Sequence, residues 1–204
     1  MNLGNFVYKN IFIYRFIMNL LYFGKYKKRF SQVIDHLNNL PLNSQILELC
    51  FGDTYIAKYC KKAGHEWRGI DINERFVKNA RRMGYNAFHG DLTSINDFPK
   101  ASVCIMIGSL YHFHKDSFLI INRMMKSANM VIFSEPIHNI SNSKGLLGLL
   151  AKKASNIGKG PEAFRFNKTS IIELIESRCE IFDFKITSTQ VFGKDIVIKL
   201  MRNG

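Results

Sequence analysis

The most specific chemical pattern in the sequence lies in residues 45–71. A short apolar run carries Glu48, a turn through Gly52 follows, and a segment with helical apolar spacing leads to a second apolar run that ends in Asp71. A strand, a glycine turn, a helix and a second strand with an acid at its end form a βαβ nucleotide-binding unit, in which that acid accepts hydrogen bonds from a ribose. Asp71 is therefore a candidate ribose acceptor, although an acid here could also cap the helix that follows it.

Two later apolar runs also end beside residues that could do chemistry. Asp91 follows one run and His112 lies just past the next. An imidazole accepts a proton near neutral pH, so His112 could act as a general base. The alternatives are that His112 hydrogen-bonds the backbone and shapes a pocket, and that Asp91 caps a short helix near Ser94.

A sheet must position these residues, and the chain predicts one. Apolar runs alternate with helical patterns, which is typical of an α/β domain with a doubly wound, mostly parallel sheet. The candidate residues then lie at the carboxyl ends of strands, where such sheets bind ligands. The predicted strands are residues 46–49, 67–70, 86–89, 102–107 and 129–134, followed by an antiparallel C-terminal hairpin at about 181–189 and 195–201.

The helices between these strands have recognisable starts. Asn73 is a good N-cap for a helix at residues 74–83. Ser170 and Glu173 have the spacing of a capping box at the start of another helix. A further helix is predicted at residues 31–40, before the first strand.

Length and charge bound the class of protein. The chain has 204 residues, 47% of them hydrophobic and 22% charged, so we expect one globular domain with some decoration. The formal net charge of +13 implies a negatively charged partner: nucleic acid, an anionic membrane surface or an acidic substrate. The charge does not choose among these three.

The cysteines predict neither disulfides nor a metal site. No two of them have the close spacing of a metal-binding or redox motif, and most fall in predicted buried elements. We expect reduced thiols in a cytoplasmic protein and no bound metal. The cysteines are Cys50, Cys60, Cys104 and Cys179.

Two segments decorate the predicted domain, which we place at residues 31–204. Residues 1–30 combine aromatic residues with lysine and arginine and contain no acid. Their apolar run is shorter than the roughly 20 residues of a membrane span, so we expect a helical arm that packs on the domain or lies on an anionic membrane surface. Residues 137–166 predict an irregular insertion of a length usual for functional lids or disordered loops.

Four segments taken together resemble the class I S-adenosylmethionine-dependent methyltransferases. They are ILELCFGDTYIA, GIDIN, GDL and an apolar strand with SLYHF at its tip. The resemblance covers about residues 31–135 and implies a seven-stranded sheet of that family's type. One departure lies in the first motif, where the family has an acid followed by alternate glycines and this chain has Cys50 and Thr54 in two of the glycine positions.

The resemblance implies a role for each residue at the sheet edge. Glu48 would hold the methionine ammonium of S-adenosylmethionine, Asp71 would accept the ribose hydroxyls, and the backbone at Ile72 would face the adenine. Asp91 would accept from the adenine amino group, with Leu92 packed on the ring. Cys50, Gly52 and Gly108 complete the expected cofactor site, and Tyr111, His114, Glu135 and Asn139 would line an acceptor pocket beside His112, the candidate catalytic residue.

The expected reaction is methyl transfer to oxygen or nitrogen of a small or lipid-linked acceptor, for which alignment supplies most of the rate. Methyltransferases that act on amines of nucleic-acid bases carry an Asn/Asp-Pro-Pro-aromatic motif where this chain has Ser109-Leu110-Tyr111-His112. A nucleic-acid partner is therefore disfavoured, and peripheral contact with an anionic membrane is the other expectation. Two alternatives stay open: an RNA methyltransferase, which the charge favours, and a catalytically silent methyltransferase-like binding protein, which the replaced glycines permit.

Overall fold

The computed structural model describes residues 11–137 and 164–204. Seven strands form one sheet in the order β3-β2-β1-β4-β5-β7-β6. The neighbours from β3 to β5 are parallel, and β7 runs antiparallel to both β5 and β6. The strands are β1 (Gln45–Leu49), β2 (Glu66–Asp71), β3 (Asn86–His89), β4 (Ala101–Ile107), β5 (Ala128–Pro136), β6 (Phe184–Phe192) and β7 (Asp195–Arg202).

This architecture confirms the predicted α/β fold, a mostly parallel seven-stranded sheet closed by an antiparallel hairpin. The switch in strand order falls between β1 and β4, so their carboxyl ends open a crevice at that edge, where doubly wound sheets bind ligands. The helices are α1 (Ile11–Leu21), α2 (Tyr26–Asp35), α3 (Tyr55–Ala63), α4 (Glu74–Arg82), α5 (Ser117–Ser127) and α6 (Lys168–Phe182), with a 3₁₀ helix at Leu110–Phe113.

Two hydrophobic clusters hold helices on the two faces of the sheet. One joins alternate residues of β1, β4 and β5 to α5 and α6, and Met106 and Phe133 are fully buried in it. The other lies under α1 to α4, where Tyr26 and Val33 of α2 pack near Ile105. Because β4 is covered on both faces, it is a continuous apolar run, as the sequence predicted.

The helix starts show where local sequence was sufficient. Asn73 caps α4 by accepting from the backbone N–H groups of Arg75 and Phe76, as predicted. The predicted capping box at Ser170 and Glu173 is wrong, because Asn167 is the N-cap of α6 and Ser170 is its third residue. The predicted pair Ser170 and Glu173 and the observed pair Asn167 and Ser170 both have the three-residue spacing of a capping box. Spacing alone therefore did not identify the cap.

The helix predicted at residues 31–40 begins earlier and ends earlier, as α2. The division drawn at residue 30 therefore falls inside this helix, whose Tyr26 and Phe30 are both buried in the domain. Among the described residues, no helix has both the length and the apolar content that a membrane crossing requires.

Candidate functional site

The turn between β1 and α3 is built around Gly52 and Asp71. Gly52 has φ of +52°, a left-handed conformation that suits glycine. Its backbone N–H donates to Oδ2 of Asp71 at 2.9 Å, while Oδ1 accepts from the N–H of Asn73 at 2.7 Å. Asp71 therefore ties the glycine turn to the end of β2, and the alternative role of capping α4 is taken by Asn73.

The carboxylate of Asp71 keeps the capacity for a ligand. Two oxygens offer about four lone-pair sites, and the two backbone bonds use half of them. Asp71 is 6% exposed, and burial raises its pKa to about 6 against the lowering effect of the two backbone bonds. The group is therefore mostly ionised at neutral pH and can accept hydroxyl protons.

Cys50 replaces a glycine in this turn at a strained position. Its φ of +53° lies in the left-handed region, which costs a side chain about 1–2 kcal/mol. Burial raises the pKa of the Cys50 thiol well above its usual range, so the group is a neutral thiol. All four cysteines are free in the structure.

Glu48 is deeper than the other acids. It is 0% exposed, and its Oε2 accepts from the indole N–H of Trp67 at 2.8 Å. Its Oε1 is buried without a hydrogen-bond partner among the described residues. Burial raises the pKa of Glu48 well above its ordinary value, which favours the neutral form of the side chain.

The three residues expected to contact adenine differ in solvent exposure and in hydrogen bonding. Ile72 is 40% exposed just past the end of β2, and its carbonyl lies 2.9 Å from Nε2 of His89. Oδ1 of Asp91 accepts from the backbone N–H and the hydroxyl of Thr93 in a turn, and the described residues between β3 and β4 form no helix for Asp91 to cap. Leu92 is buried in the cluster under α5 and α6. His89 is a neighbour of this end of the site that the sequence analysis did not select.

The tip of β4 is held by a carboxylate from β5. Gly108 has φ of +63°, and Oε1 of Glu135 accepts from the backbone N–H groups of Ser109 and Leu110, both at 2.8 Å. Glu135 is fully buried, its Oε2 has no hydrogen-bond partner among the described residues, and burial raises its pKa to about 7. Glu135, expected in the pocket lining, therefore anchors the segment that carries the candidate base.

His112 lies on the 3₁₀ helix at this tip, half-buried against Tyr111. The two ring centroids are 3.9 Å apart, and the guanidinium of Arg165 lies 3.7 Å from the centroid of the Tyr111 ring. His114 stacks on Phe164, with centroids 4.6 Å apart. The structure thus brings Tyr111, His112 and His114 together with Phe164 and Arg165. Asn139, also expected in the pocket lining, lies outside the described residues.

Two arginines of the N-terminal helices complete the edge, and the sequence analysis counted both only as surface charge. Arg15 makes a bidentate bond to the buried Asp53, with Nε at 2.9 Å from Oδ2 and Nη2 at 2.7 Å from Oδ1. Arg29 is 6% exposed, and its Nε lies 3.4 Å from Oδ2 of Asp195. The sequence feature that could have indicated the Arg15 ion pair is Asp53, a charged residue inside a glycine turn.

The aromatic residues of the same helices also reach the site. The hydroxyl of Tyr14 lies 3.2 Å from the position that a Cβ on Gly52 would take, so a larger residue there would have to displace Tyr14. The hydroxyl of Tyr22 donates to Oδ1 of Asp195 at 3.2 Å. Since Asp195 pairs with Pro136 at the end of β5, α1 crosses the carboxyl edge of the sheet from β1 to β5.

The described residues fit a nucleoside cofactor in part. The glycine turn, the spare acceptors of Asp71 and the exposed backbone at Ile72 form one continuous edge after β1 and β2. Glu48 fits less well, because its carboxyl group is fully buried on Trp67. No group of His, Cys, Asp and Glu side chains among residues 11–137 and 164–204 could hold a metal ion.

Solved structures share this architecture. A magnesium protoporphyrin IX methyltransferase from Synechocystis PCC 6803 with bound SAH has a TM-score of 0.61 and 18% identity, over 86% of this chain and 84% of that one. An S-adenosylmethionine-dependent methyltransferase from Mesorhizobium loti has a TM-score of 0.65 and 12% identity, over 87% and 97%. No family model matches the chain, and no curated protein matches its sequence. The chain has the fold of the class I methyltransferases.

Proposed function

We propose that the protein transfers a methyl group from S-adenosylmethionine to an oxygen or nitrogen atom of a small or lipid-linked acceptor. The observation that carries the proposal is the arrangement of Gly52 and Asp71, which ties a glycine turn to a buried acceptor with spare lone pairs. Similar solved structures bind SAM or SAH, which supports the same cofactor here.

S-adenosylmethionine supplies an activated methyl group, so the chain must mainly bind and align. Asp71 accepts the ribose hydroxyls, and Gly52 leaves room for close approach of the ligand to the backbone. Glu135 fixes the tip of β4 through the N–H groups of Ser109 and Leu110, which keeps His112 at the acceptor side. His112 takes the acceptor proton where that proton must leave.

Calorimetry with S-adenosylmethionine tests the cofactor site. Asp71→Ala should weaken binding by about 1.5–3 kcal/mol, the range for losing hydrogen bonds to a charged acceptor. Glu66→Ala is the matched control, because Glu66 is an exposed acid at the other end of the same strand. Equal affinity in a folded Asp71→Ala protein would reject the proposed site.

Turnover tests the role of His112, using any acceptor that supports the reaction. His112→Ala should lower kcat by roughly two to four orders of magnitude at nearly unchanged cofactor affinity if His112 is a base. His112→Asn keeps hydrogen bonding without proton transfer at neutral pH. High activity in the Asn variant would remove the base and leave alignment as the mechanism.

The strained Cys50 and the covered Gly52 favour one second candidate, a methyltransferase-like protein that does not catalyse transfer. Tyr14 decides between the two, because its hydroxyl lies at the glycine turn where the cofactor would approach. If Tyr14 lines the bound cofactor, Tyr14→Ala should weaken S-adenosylmethionine binding. If Tyr14 fills the site instead, the wild-type protein should show no heat and the variant should gain binding.

A further inference from the structure

Helix α1 is apolar on two sides, and the domain uses only one of them. Its inner side packs on the domain through Tyr14 and Met18, one helical turn apart, and Tyr22 continues this side beyond the last residue of the helix. Phe16, Leu20 and Phe23 follow the opposite side at spacings of four and three residues, and they are 71%, 43% and 71% exposed. A helix that is apolar all round is normally buried or in contact with lipid.

Lysines stand at one end of this outer side. Lys25, Lys27 and Lys28 are all exposed, and the first of them lies two residues after Phe23. Phe23 has φ of +50°, in the turn between α1 and α2. No acidic residue occurs from residue 11 to residue 34, so the lysines have no local counter-charge. We call Phe16, Leu20, Phe23, Lys25, Lys27 and Lys28 the outer face.

We propose that the outer face docks on an anionic lipid bilayer. Exposed aromatic rings beside unpaired lysines match the boundary between acyl chains and anionic headgroups, where apolar burial and charge attraction act together. A second copy of the chain is a poorer partner, because a symmetric interface would bring two lysine clusters together. Charge complementarity therefore selects the membrane surface.

The two inner arginines explain why docking would not disturb the fold. Arg15 and Arg29 point to Asp53 and Asp195, so the charges that hold α1 and α2 on the domain are separate from the lysines. Since α1 crosses the carboxyl edge of the sheet, docking places that edge beside the lipid. The methyl acceptor would then come from the bilayer. Only this step rests on the proposed function; the docking surface itself does not.

Sedimentation with lipid vesicles tests the surface without any need for activity. With about 30 mol% phosphatidylserine in phosphatidylcholine at low salt, the wild-type protein should bind, and added salt should weaken binding. Phe16→Ser/Phe23→Ser should lower the partition coefficient at least about 30-fold, because both rings lose their burial in the membrane. Binding of equal strength to pure phosphatidylcholine would overturn the proposal.

Matched variants locate the surface. Leu42→Ser/Ile181→Ser removes apolar residues that are 74% and 62% exposed near the opposite edge of the sheet, and it should bind like wild type. Replacing Lys25, Lys27 and Lys28 by Gln should lower binding roughly 30- to 100-fold, at about 1 kcal/mol per lysine less screening. The same change at the exposed Lys58, Lys61 and Lys62 removes equal charge and should have little effect.

Three results would overturn the docking surface. One is wild-type vesicle binding by a folded Phe16→Ser/Phe23→Ser protein. Another is equal loss from the two lysine sets, which would mean that net charge acts without a defined face. The third is a wild-type dimer that binds no vesicles and becomes monomeric in the phenylalanine variant by analytical ultracentrifugation, which would assign the face to self-association.

Discussion

The two faces of the sheet are closed by different chemistry. Under α5 and α6 the core is apolar and fully buried, with Ile120, Ile121 and Met124 of α5 against β4 and β5. Under α1 and α2 the aromatic core continues into buried charges at the sheet edge, where Arg29 meets Asp195. The first face packs residues of the candidate site such as Leu92 and Tyr111 in an apolar core, whereas the second adds buried ion pairs at the sheet edge.

The difference indicates how the carboxyl edge of the sheet can have a fixed geometry and still hold polar groups for a ligand. Burying an ion pair costs desolvation that the attraction only partly offsets, so such pairs add little stability over an apolar core. They do fix geometry, because an arginine without its acid is expensive to bury. On this reasoning Arg15 and Arg29 position α1 and α2 over the glycine turn and the tip of β4.

The largest effect should come from removing the positive partner of the buried pair. Among the described residues, Arg29→Met leaves the buried Asp195 with the Tyr22 hydroxyl alone, which should cost about 3–5 kcal/mol in the free energy of unfolding. Urea denaturation measures this loss, and Arg29→Lys should recover part of it. A loss below about 1 kcal/mol would contradict the contrast between the two faces.

Gly108 tests the contact between that arginine and the tip of β4. A Cβ at Gly108 would lie 1.9 Å from Nη2 of Arg29, so Gly108→Ala must displace the guanidinium. Gly84→Ala is the control, because Gly84 has φ of +76° with nothing within 4 Å. Both variants lose about 1–2 kcal/mol to the left-handed conformation, and only Gly108→Ala should lose more. Equal losses by urea denaturation would show that Arg29 adapts freely.

The apolar face should tolerate a change of shape. Ile121→Val removes one methylene group from a fully buried residue of α5 and should cost about 0.5–1.5 kcal/mol. Its affinity for S-adenosylmethionine should stay at the wild-type value, because α5 does not carry the glycine turn. Calorimetry and urea denaturation on the same sample separate the two effects, and a marked loss of affinity would mean that the faces are coupled.

The last prediction is a pH dependence from Glu48. Its pKa is raised in the folded protein by burial, so the folded state holds the proton more tightly than the unfolded state. The stability from this group is complete below its ordinary value near 4.5 and falls as the pH rises above it. Glu48→Gln keeps an acceptor for Trp67 but cannot ionise. Between about pH 5 and about pH 8 the unfolding free energy of the variant should therefore fall less than that of the wild type. Parallel curves for variant and wild type would show that Glu48 is ionised in the fold.

The sequence correctly predicted the features that depend on residues close together along the chain. The βαβ unit, the cap at Asn73 and the closing hairpin were predicted, because turn residues and apolar periodicity act within a few residues. It failed at the cap of α6, where Asn167 and Ser170 satisfy the same spacing as the predicted pair. Its site residues stay predictions, although Asp71 lies where the pattern placed it.

The sequence by itself determined the order of elements, the sheet class and the acids at the strand ends, since each follows from local pattern and length. Only the tertiary structure decided that Arg15 turns inward to Asp53, 38 residues away, and that Tyr22 reaches Asp195 across 173 residues. No periodicity encodes such pairs, because they form only when the folded sheet brings distant segments together. The same folding leaves the other side of α1 exposed, which separates the inner arginines from the outer lysines.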